Sequence, residues 1–181
     1  MHHLLAFLHR HEPRGETVAH LKSGIGAMLA LTLVGGLAAW TGLPMLLAPF
    51  GASAVLLFGQ AQSPFSQPAS VFGGYLVAAA ISAAMLALLP AVWWAATLAV
   101  GVAIAVMLAA RVTHPPAGAV PLVAFSTHMP VETLFFVVLA GAFCLVGVAV
   151  VHHRLPPRTV YPRPRPLEAT PPSRAVEDSA R

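Results

Sequence analysis

Charged residues are almost absent from the middle of this chain. Residues 23–110 contain no Asp, Glu, Lys or Arg, and between Lys22 and Arg154 the only formal charges are Arg111 and Glu132. A soluble domain of this size must cover its outer face with polar side chains, and this stretch has almost none. The sequence therefore excludes a soluble core and predicts an integral membrane protein, for which no nucleic-acid partner is expected.

Cysteine and clustered catalytic groups are scarce as well. Cys144 is the only cysteine among 181 residues, which excludes a disulfide framework and a cysteine-based metal site. The apolar segments hold no carboxylate pair, no Ser/His/Asp set and no metal-ligand cluster, so an intramembrane enzyme ranks last among the function classes. No cofactor and no bound metal are expected.

Six apolar segments of two kinds follow one another along the chain. Four approach the roughly 20 residues that a membrane-spanning helix needs, at 23–41, 71–89, 91–110 and 131–151. Two are shorter and contain prolines, at 43–59 and 112–125. Because proline is tolerated in the first turn of a helix, each short segment is predicted to be extended backbone followed by a half-helix. The predicted fold is an all-α membrane protein.

The two broken segments resemble each other. Aligned without gaps at a separation of 67 residues, PFGASAVLLF (49–58) and PAGAVPLVAF (116–125) share Pro, Gly, Ala and Phe at the same four positions, and Gly74 and Gly141 keep the same separation. Each half of the chain then reads as long helix, broken half-helix and long helix, with a tight turn at Pro90 between the halves. We infer two repeats, at 23–89 and 91–153.

Basic residues flank the apolar region on both sides. They are Arg10, Arg14 and Lys22 before it, and Arg154, Arg158, Arg163 and Arg165 after it. Both termini are therefore expected in the cytoplasm, and the number of crossings is even. Four crossings would make the repeats parallel and leave Arg111 outside, whereas six would make them inverted and place Arg111 on the cytoplasmic side. We favour six segments in inverted repeats, in a bacterial inner membrane.

The two ends of the chain are expected to differ from the membrane domain at 23–153. Residues 1–22 are predicted to form a cytoplasmic arm, with a short amphipathic helix on the membrane surface. Residues 154–181 contain seven prolines and six arginines, and they lack the apolar content that folding needs. They are predicted to be a disordered cytoplasmic tail.

Broken segments at membrane depth indicate a pathway or a binding site. Irregular backbone persists there only where protein or water encloses it. A half-helix that starts there directs N–H groups and about half a positive charge at the space before it, which favours an anion. Gly51 and Gly118 remove side chains near the two starts, and Ser53 adds a hydroxyl donor. The candidate pathway residues are Pro49, Gly51, Ala52, Ser53, Gln67, Arg111, Thr113, His114, Pro115, Pro116, Gly118 and Ala119.

Three blocks carry a family resemblance. THPPAGA (113–119), APFGASAVLLFG (48–59) and SPFSQPASVFGG (63–74) together resemble the HPP family of integral membrane proteins, named for its His-Pro-Pro motif. The similarity covers about residues 21–151. It implies a compact transporter, with plastid and cyanobacterial members linked to nitrite transport. The family often has a histidine where this chain has Tyr75, so substrate or coupling is expected to differ if that position touches substrate or protons.

Several residues allow a functional and a structural interpretation. His114 is either a proton carrier or anion donor, or a helix-ending residue bonded to a carbonyl. Arg111 either draws anions toward a vestibule or anchors the end of a helix. Gln67 either lines an entrance or lies in a solvated loop. Close helix packing is expected at Gly35, Gly36, Gly73, Gly74 and Gly141.

Three function classes compete. The favoured one is a transporter or channel for a small monovalent anion, with nitrite first. The alternative is a non-transporting membrane subunit or scaffold that acts through a partner, and an intramembrane enzyme comes last. The expected partners are a small inorganic anion and the lipid bilayer, and the glycine-rich faces leave room for a homo-oligomer.

Overall fold

The computed structural model describes residues 16–164, and every regular element in this range is helical. The α-helices are α1 (Thr17–Thr41), α2 (Ala48–Ala54), α3 (Pro68–Leu88), α4 (Trp93–Ala109), α5 (Val120–Thr127) and α6 (Val131–Arg154). A π-helix, Val55–Gly59, continues α2, and 3-10 helices at Pro64–Ser66 and Pro115–Ala119 precede α3 and α5. The prediction of an all-α fold with two short broken segments is confirmed.

Three helices of the described range, α1, α3 and α6, are long and apolar enough to cross a membrane. The sequence predicts four long helices, but α4 has 17 residues and spans only about 26 Å at 1.5 Å per residue. Its end is closed by Arg111, which has a left-handed backbone with φ of 57°. The N–H of Val112 then bonds back to the carbonyl of Met107 (3.0 Å), as in the Schellman motif that ends many helices.

The first helix begins earlier than the sequence predicts. α1 starts at Thr17, so residues 17–22 belong to it rather than to a separate surface arm. Lys22 Nζ donates to the carbonyls of Leu155 (2.6 Å) and Pro157 (2.7 Å), just beyond the end of α6. The start of α1 is thereby tied to the end of α6. Residues 1–15 of the predicted arm lie outside the described residues.

Side chains from three elements cap the end of the first broken segment. The last carbonyls of a helix have no partner within it. Here the carbonyls of Leu56, Leu57 and Phe58 accept hydrogen bonds from Ser66 Oγ (3.0 Å), His153 Nε2 (2.8 Å) and Ser23 Oγ (2.7 Å), respectively. The start of α1, the end of the π-helix and the end of α6 therefore lie together. We call this region the His153 end of the bundle.

The chain after α6 packs against the His153 end, although the sequence predicts a disordered tail from Arg154 onward. Tyr161 anchors it, since its hydroxyl donates to the carbonyl of Ser66 (2.9 Å). Burial raises the pKa of this hydroxyl, which keeps it a donor. Further bonds join Thr159 N–H to His153 O (3.0 Å), Gln62 Nε2 to Val160 O, and Arg163 N–H to Gln67 Oε1 (2.8 Å). The amino-acid composition of this segment does not predict the packing, because each of these hydrogen bonds involves at least one backbone group. Residues 165–181 lie outside the described residues.

Two glycines allow the last helix of each repeat to approach the broken segment of the other repeat. A Cβ at Gly74, in repeat one, would lie 2.6 Å from Cβ of His114, in repeat two. A Cβ at Gly141, in repeat two, would overlap the ring of Phe50, in repeat one. Two equivalent repeats would produce such reciprocal contacts, while their inverted relation stays a prediction.

The predicted role of glycines in close packing is met within the described chain at some positions and not at others. It is confirmed at Gly74 and Gly141, and also at Gly73, where a Cβ would lie 2.7 Å from Cβ of Val112. It is not met within residues 16–164 for Gly35 and Gly36, because a Cβ at either would have no neighbour within 4 Å. Packing of these two residues against another copy of the chain stays a prediction.

Candidate functional site

The two broken segments meet at the side chains of Ser53 and His114. Ser53 lies in the second turn of α2, and His114 directly precedes the 3-10 helix Pro115–Ala119. Ser53 Oγ is 2.7 Å from His114 Nε2, and neither residue has any exposed surface. A direct hydrogen bond between two side chains that are 61 residues apart in sequence thus joins the two broken segments.

Tyr75 of α3 extends this contact into a chain of three side chains. Its hydroxyl is 2.7 Å from Ser53 Oγ, and its ring centroid is 5.2 Å from that of His114 and 5.5 Å from that of Phe50. On the other side of the imidazole, Nδ1 of His114 is 2.8 Å from the carbonyl oxygen of Phe65. We call Ser53, Tyr75 and His114 the Ser53 cluster.

The protonation of the cluster follows from its partners. A carbonyl oxygen only accepts, so Nδ1 of His114 carries a hydrogen and donates to Phe65. With a neutral imidazole, Nε2 accepts from the hydroxyl of Ser53, and Ser53 Oγ accepts from the hydroxyl of Tyr75. Every polar hydrogen of the cluster then has a partner, as buried polar groups require. This geometry favours the neutral imidazole.

A proton added to the imidazole would reverse the chain of bonds. Nε2 of His114 would become a donor to Ser53, and the Ser53 hydroxyl would turn toward the oxygen of Tyr75. The hydroxyl hydrogen of Tyr75 would then have no partner among the residues that the structure describes. The cluster can therefore convert the arrival of a proton into a free hydrogen-bond donor.

A cavity of about 590 Å³ lies between the starts of the two broken segments. It is lined by Ala48, Pro49, Ala52, Val55, Leu56, Pro115, Pro116 and Ala119. Five of the predicted pathway residues are in this wall, and all of its side chains are apolar. Ser53 and His114 are not in the wall, although each is adjacent in sequence to a residue that is. The polar cluster is thus separated from the cavity by an apolar layer.

Few backbone N–H groups are free at either start, which differs from the predicted anion site. Proline has no N–H, so Pro49, Pro115 and Pro116 offer none. The N–H groups of Phe50 and Ala117 already bond to the carbonyls of Leu47 (3.0 Å) and His114 (2.9 Å). The strongest donors at the junction are therefore the side chains of the Ser53 cluster.

The two predicted approach glycines differ in their surroundings. A Cβ at Gly51 would have no neighbour within 4 Å, whereas Gly118 is buried and a Cβ there would contact Ile104 at 3.9 Å. Neither position is too close to a neighbour to accept a Cβ, unlike Gly74. Open space therefore lies beside the first start.

The remaining predicted residues have structural contacts. Arg111 is exposed and closes α4, as its structural interpretation states. Thr113 Oγ1 donates to the carbonyl of Met107 (3.4 Å). Gln67 braces its loop, because Nε2 donates to the carbonyls of Ala61 and Ser63 (2.9 Å each). None of the three lines the cavity between the broken segments.

Sequence reasoning does not place Tyr75 or Phe65 in the site. The sequence marks Tyr75 only as a departure from the resembling family, yet a single tyrosine inside an apolar 21-residue helix is itself a signal of a buried partner. The structure puts its hydroxyl on Ser53, within the same cluster as the candidate proton carrier. Phe65 contributes a backbone carbonyl, which no side-chain pattern reveals.

The contact between Ser53 and His114 also brings a hydroxyl and an imidazole to the distance of a nucleophile and its base. The sequence shows no Ser/His/Asp set, and the fold assembles two of its three members. Where a Ser/His/Asp set has its aspartate, the imidazole of His114 meets the neutral carbonyl of Phe65. The carboxylates of the described range, Glu16 and Glu132, are exposed at the starts of helices. Within residues 16–164, no three His, Cys, Asp or Glu side chains are grouped so as to hold a metal ion.

Comparison with known proteins identifies a family for the membrane domain. The family model described as HPP, transmembrane region, matches residues 12–162. The matched range includes both repeats, both broken segments and the whole Ser53 cluster. No curated protein and no solved structure matches the chain.

Proposed function

Because the chain belongs to the HPP family of transmembrane proteins, we propose that it is a transporter or channel for a small monovalent anion, with nitrite as the first candidate. The observation that carries this proposal is the Ser53 cluster. In a bundle whose core is mostly apolar, this fully buried set of hydrogen-bonded side chains joins the two breaks of the chain. Ionisable groups at membrane depth are costly to keep, and they commonly mark ion pathways and proton relays.

The donors for the anion come from the cluster after it has gained a proton. Protonation of His114 reverses the bonds through Ser53 and leaves the Tyr75 hydroxyl free to donate to an anion oxygen. The positively charged imidazole of His114 lies close to the Tyr75 hydroxyl that would bind the anion. Hydrogen bonds that involve charges are strong in a medium of low dielectric constant. Proton and anion enter together as a neutral pair, which avoids the cost of burying an isolated charge.

The apolar cavity between the broken segments provides the approach to the cluster. Its wall includes Ala52 and Pro115, which directly adjoin Ser53 and His114 in sequence. The open space beside Gly51 leaves room for the two starts to separate. In this proposal the structure corresponds to a closed state, in which the cluster satisfies its own hydrogen bonds.

The surroundings of the protein are part of the same proposal. We place the protein in a bacterial inner membrane with both termini in the cytoplasm, because basic residues flank the apolar region on both sides. A homo-oligomer would cover the exposed rim of the cavity, where Val55 is 64% exposed. The alternative, a membrane subunit without transport activity of its own, predicts no flux from the purified chain.

Uptake into liposomes tests the proposal. Liposomes that contain the purified chain are expected to take up nitrite faster than empty ones, and faster still as the external pH falls. Empty liposomes at each pH measure the uncharged acid that crosses the lipid. Ser53→Ala and Tyr75→Phe each remove one hydroxyl of the cluster and are expected to lower the flux by about tenfold.

Ser82→Ala is the matched control for Ser53→Ala. Ser82 is equally buried, but its hydroxyl bonds only to the carbonyl of Ala78 in its own helix (2.7 Å), so its loss is expected to leave the flux unchanged. Absence of flux above empty liposomes for nitrite, nitrate, formate and chloride would contradict the proposal and favour the subunit alternative.

A further inference from the structure

The His153 end carries a second concave site, which shares no lining residue with the Ser53 cluster. A cavity of about 530 Å³ lies between the end of α6 and the chain that follows it. It is lined by His153, Arg154, Arg158, Thr159, Val160, Tyr161 and Pro162. Arg154 is the last residue of α6 and lies three residues after Val151, where the apolar part of the helix ends. This places Arg154 and the following segment at the level of the lipid headgroups.

The charge of this cavity is positive and is not neutralised within residues 16–164. The guanidinium groups of Arg154 and Arg158 make no hydrogen bond or ion pair with residues of that range. Glu132 begins α6 at the opposite end of the helix, and Glu16 is exposed at the start of α1. Among residues 16–164, the two guanidinium groups in this cavity therefore have no anionic partner.

His153 adds a second requirement to the same cavity. Its side chain is 4% exposed, and Nε2 donates to the carbonyl of Leu57 (2.8 Å). In the neutral ring Nδ1 is then an acceptor, and this atom has no hydrogen-bond partner among the described residues. A buried acceptor without a partner is costly, so the site favours a ligand that brings a donor as well as anionic oxygens.

We propose that this cavity binds a phosphate group that carries a hydroxyl. The phosphate oxygens accept from Arg154 and Arg158, whose planar donor groups match phosphate geometry. Nδ1 of His153 is buried in the structure, so the side chains that cover it move aside when the ligand's hydroxyl donates to it. The side chain of Thr159 offers a further donor at the rim. This chemistry has two sources, the headgroup of phosphatidylglycerol and free dihydrogen phosphate.

Thermal unfolding of the purified full chain in detergent tests the site. The reporters are Trp40, Trp93 and Trp94, none of which lines the cavity. Phosphatidylglycerol is expected to raise the unfolding temperature in a saturable way, and phosphatidylcholine is expected to leave it unchanged. Phosphatidylmethanol has the same phosphate diester without a headgroup hydroxyl, and its half-saturating concentration is expected to be about tenfold higher.

Inorganic phosphate without added lipid distinguishes the two sources. A saturable shift with inorganic phosphate assigns the site to the free anion, and a shift with phosphatidylglycerol alone assigns it to the headgroup. The double variant Arg154→Gln, Arg158→Gln is expected to abolish either shift. It alters two exposed side chains that have no partner within residues 16–164, so folding is expected to be preserved. Arg158→Gln alone is expected to weaken binding.

Arg163→Gln is the control, because only the backbone N–H of Arg163 contacts Gln67 and its side chain does not line the cavity. The proposal is overturned if neither probe shifts the unfolding temperature, or if the double variant keeps the shift. Equal affinity for phosphatidylglycerol and phosphatidylmethanol would also overturn it, since His153 would then contribute nothing.

Discussion

The two broken segments share Pro, Gly, Ala and Phe at matched positions, yet they fold differently. The first starts as regular α-helix and widens into a π-helix, whereas the second starts as a tight 3-10 helix and continues as α-helix. Pro121 occupies the position that matches Ala54. Because proline has no N–H, Pro121 cannot donate a hydrogen bond to the helix that begins at Pro115. A new helix, α5, therefore begins at Val120, with Pro121 in its first turn. Matched residues can thus place a break without setting the local helix type.

The polar groups are divided unequally between the two segments. Ser53 of the first segment matches Val120 of the second, and both are fully buried. The first segment contributes the hydroxyl at the junction, and the second contributes the imidazole of His114. Neither segment could form the hydrogen-bonded pair alone. A candidate site in a duplicated fold can therefore depend on the positions where the copies differ.

The largest effect is expected where the last helix of each repeat meets the opposite broken segment. Gly74→Ala places a Cβ against His114, and Gly141→Ala places one against Phe50, so each is expected to lower the free energy of unfolding by about 3 kcal/mol. Gly147→Ala on α6 is the control, since its Cβ would have no neighbour within 4 Å. Denaturant titration in detergent micelles measures all three. Similar losses for Gly141→Ala and Gly147→Ala would contradict the proposed packing contact.

A smaller effect is expected at the far ends of the two segments. Ser23→Ala removes the cap on Phe58 at the end of the π-helix and is expected to cost about 1 kcal/mol. Thr127→Val at the end of α5 removes an exposed hydroxyl that bonds to Val123 of its own helix, and it is expected to cost less than about 0.5 kcal/mol. The same titration compares the variants. A larger loss for Thr127→Val would show that the end of the second segment depends more on its side chains.

The smallest effect is expected at the entry to the second segment. Arg111 holds a left-handed backbone that glycine adopts without steric cost, so Arg111→Gly is expected to raise the stability by about 0.5 kcal/mol or leave it unchanged. Arg111→Ala keeps the steric cost and serves as the control. A clear loss of stability in Arg111→Gly but not in Arg111→Ala would indicate that glycine's added freedom in the unfolded chain outweighs the relief of strain.

Much of the fold follows from the sequence because its signals are local. Absence of charge over residues 23–110 excludes a soluble core, and Pro49 and Pro115 mark the breaks, since proline restricts its own backbone. The shorter α4 is not predicted, because its end depends on a left-handed arginine, a conformation that composition does not indicate. The packing of Tyr161 against Ser66 is missed for a similar reason, as its acceptor is a backbone carbonyl in a distant loop.

The sequence by itself determined that this protein enters a membrane, that its chain is broken at two matched places, and that Ser53 and His114 lie at those places. These properties depend on transfer of apolar side chains from water and on the geometry of proline, both of which are local. Only the tertiary structure decided that Tyr75 joins the cluster and that Ser53 and His114 do not line the neighbouring cavity. It also decided that His153, whose Nδ1 has no partner among the described residues, lines one cavity with Arg154 and Arg158. Such contacts join residues far apart in the chain, and their hydrogen bonds depend on distances that only packing establishes.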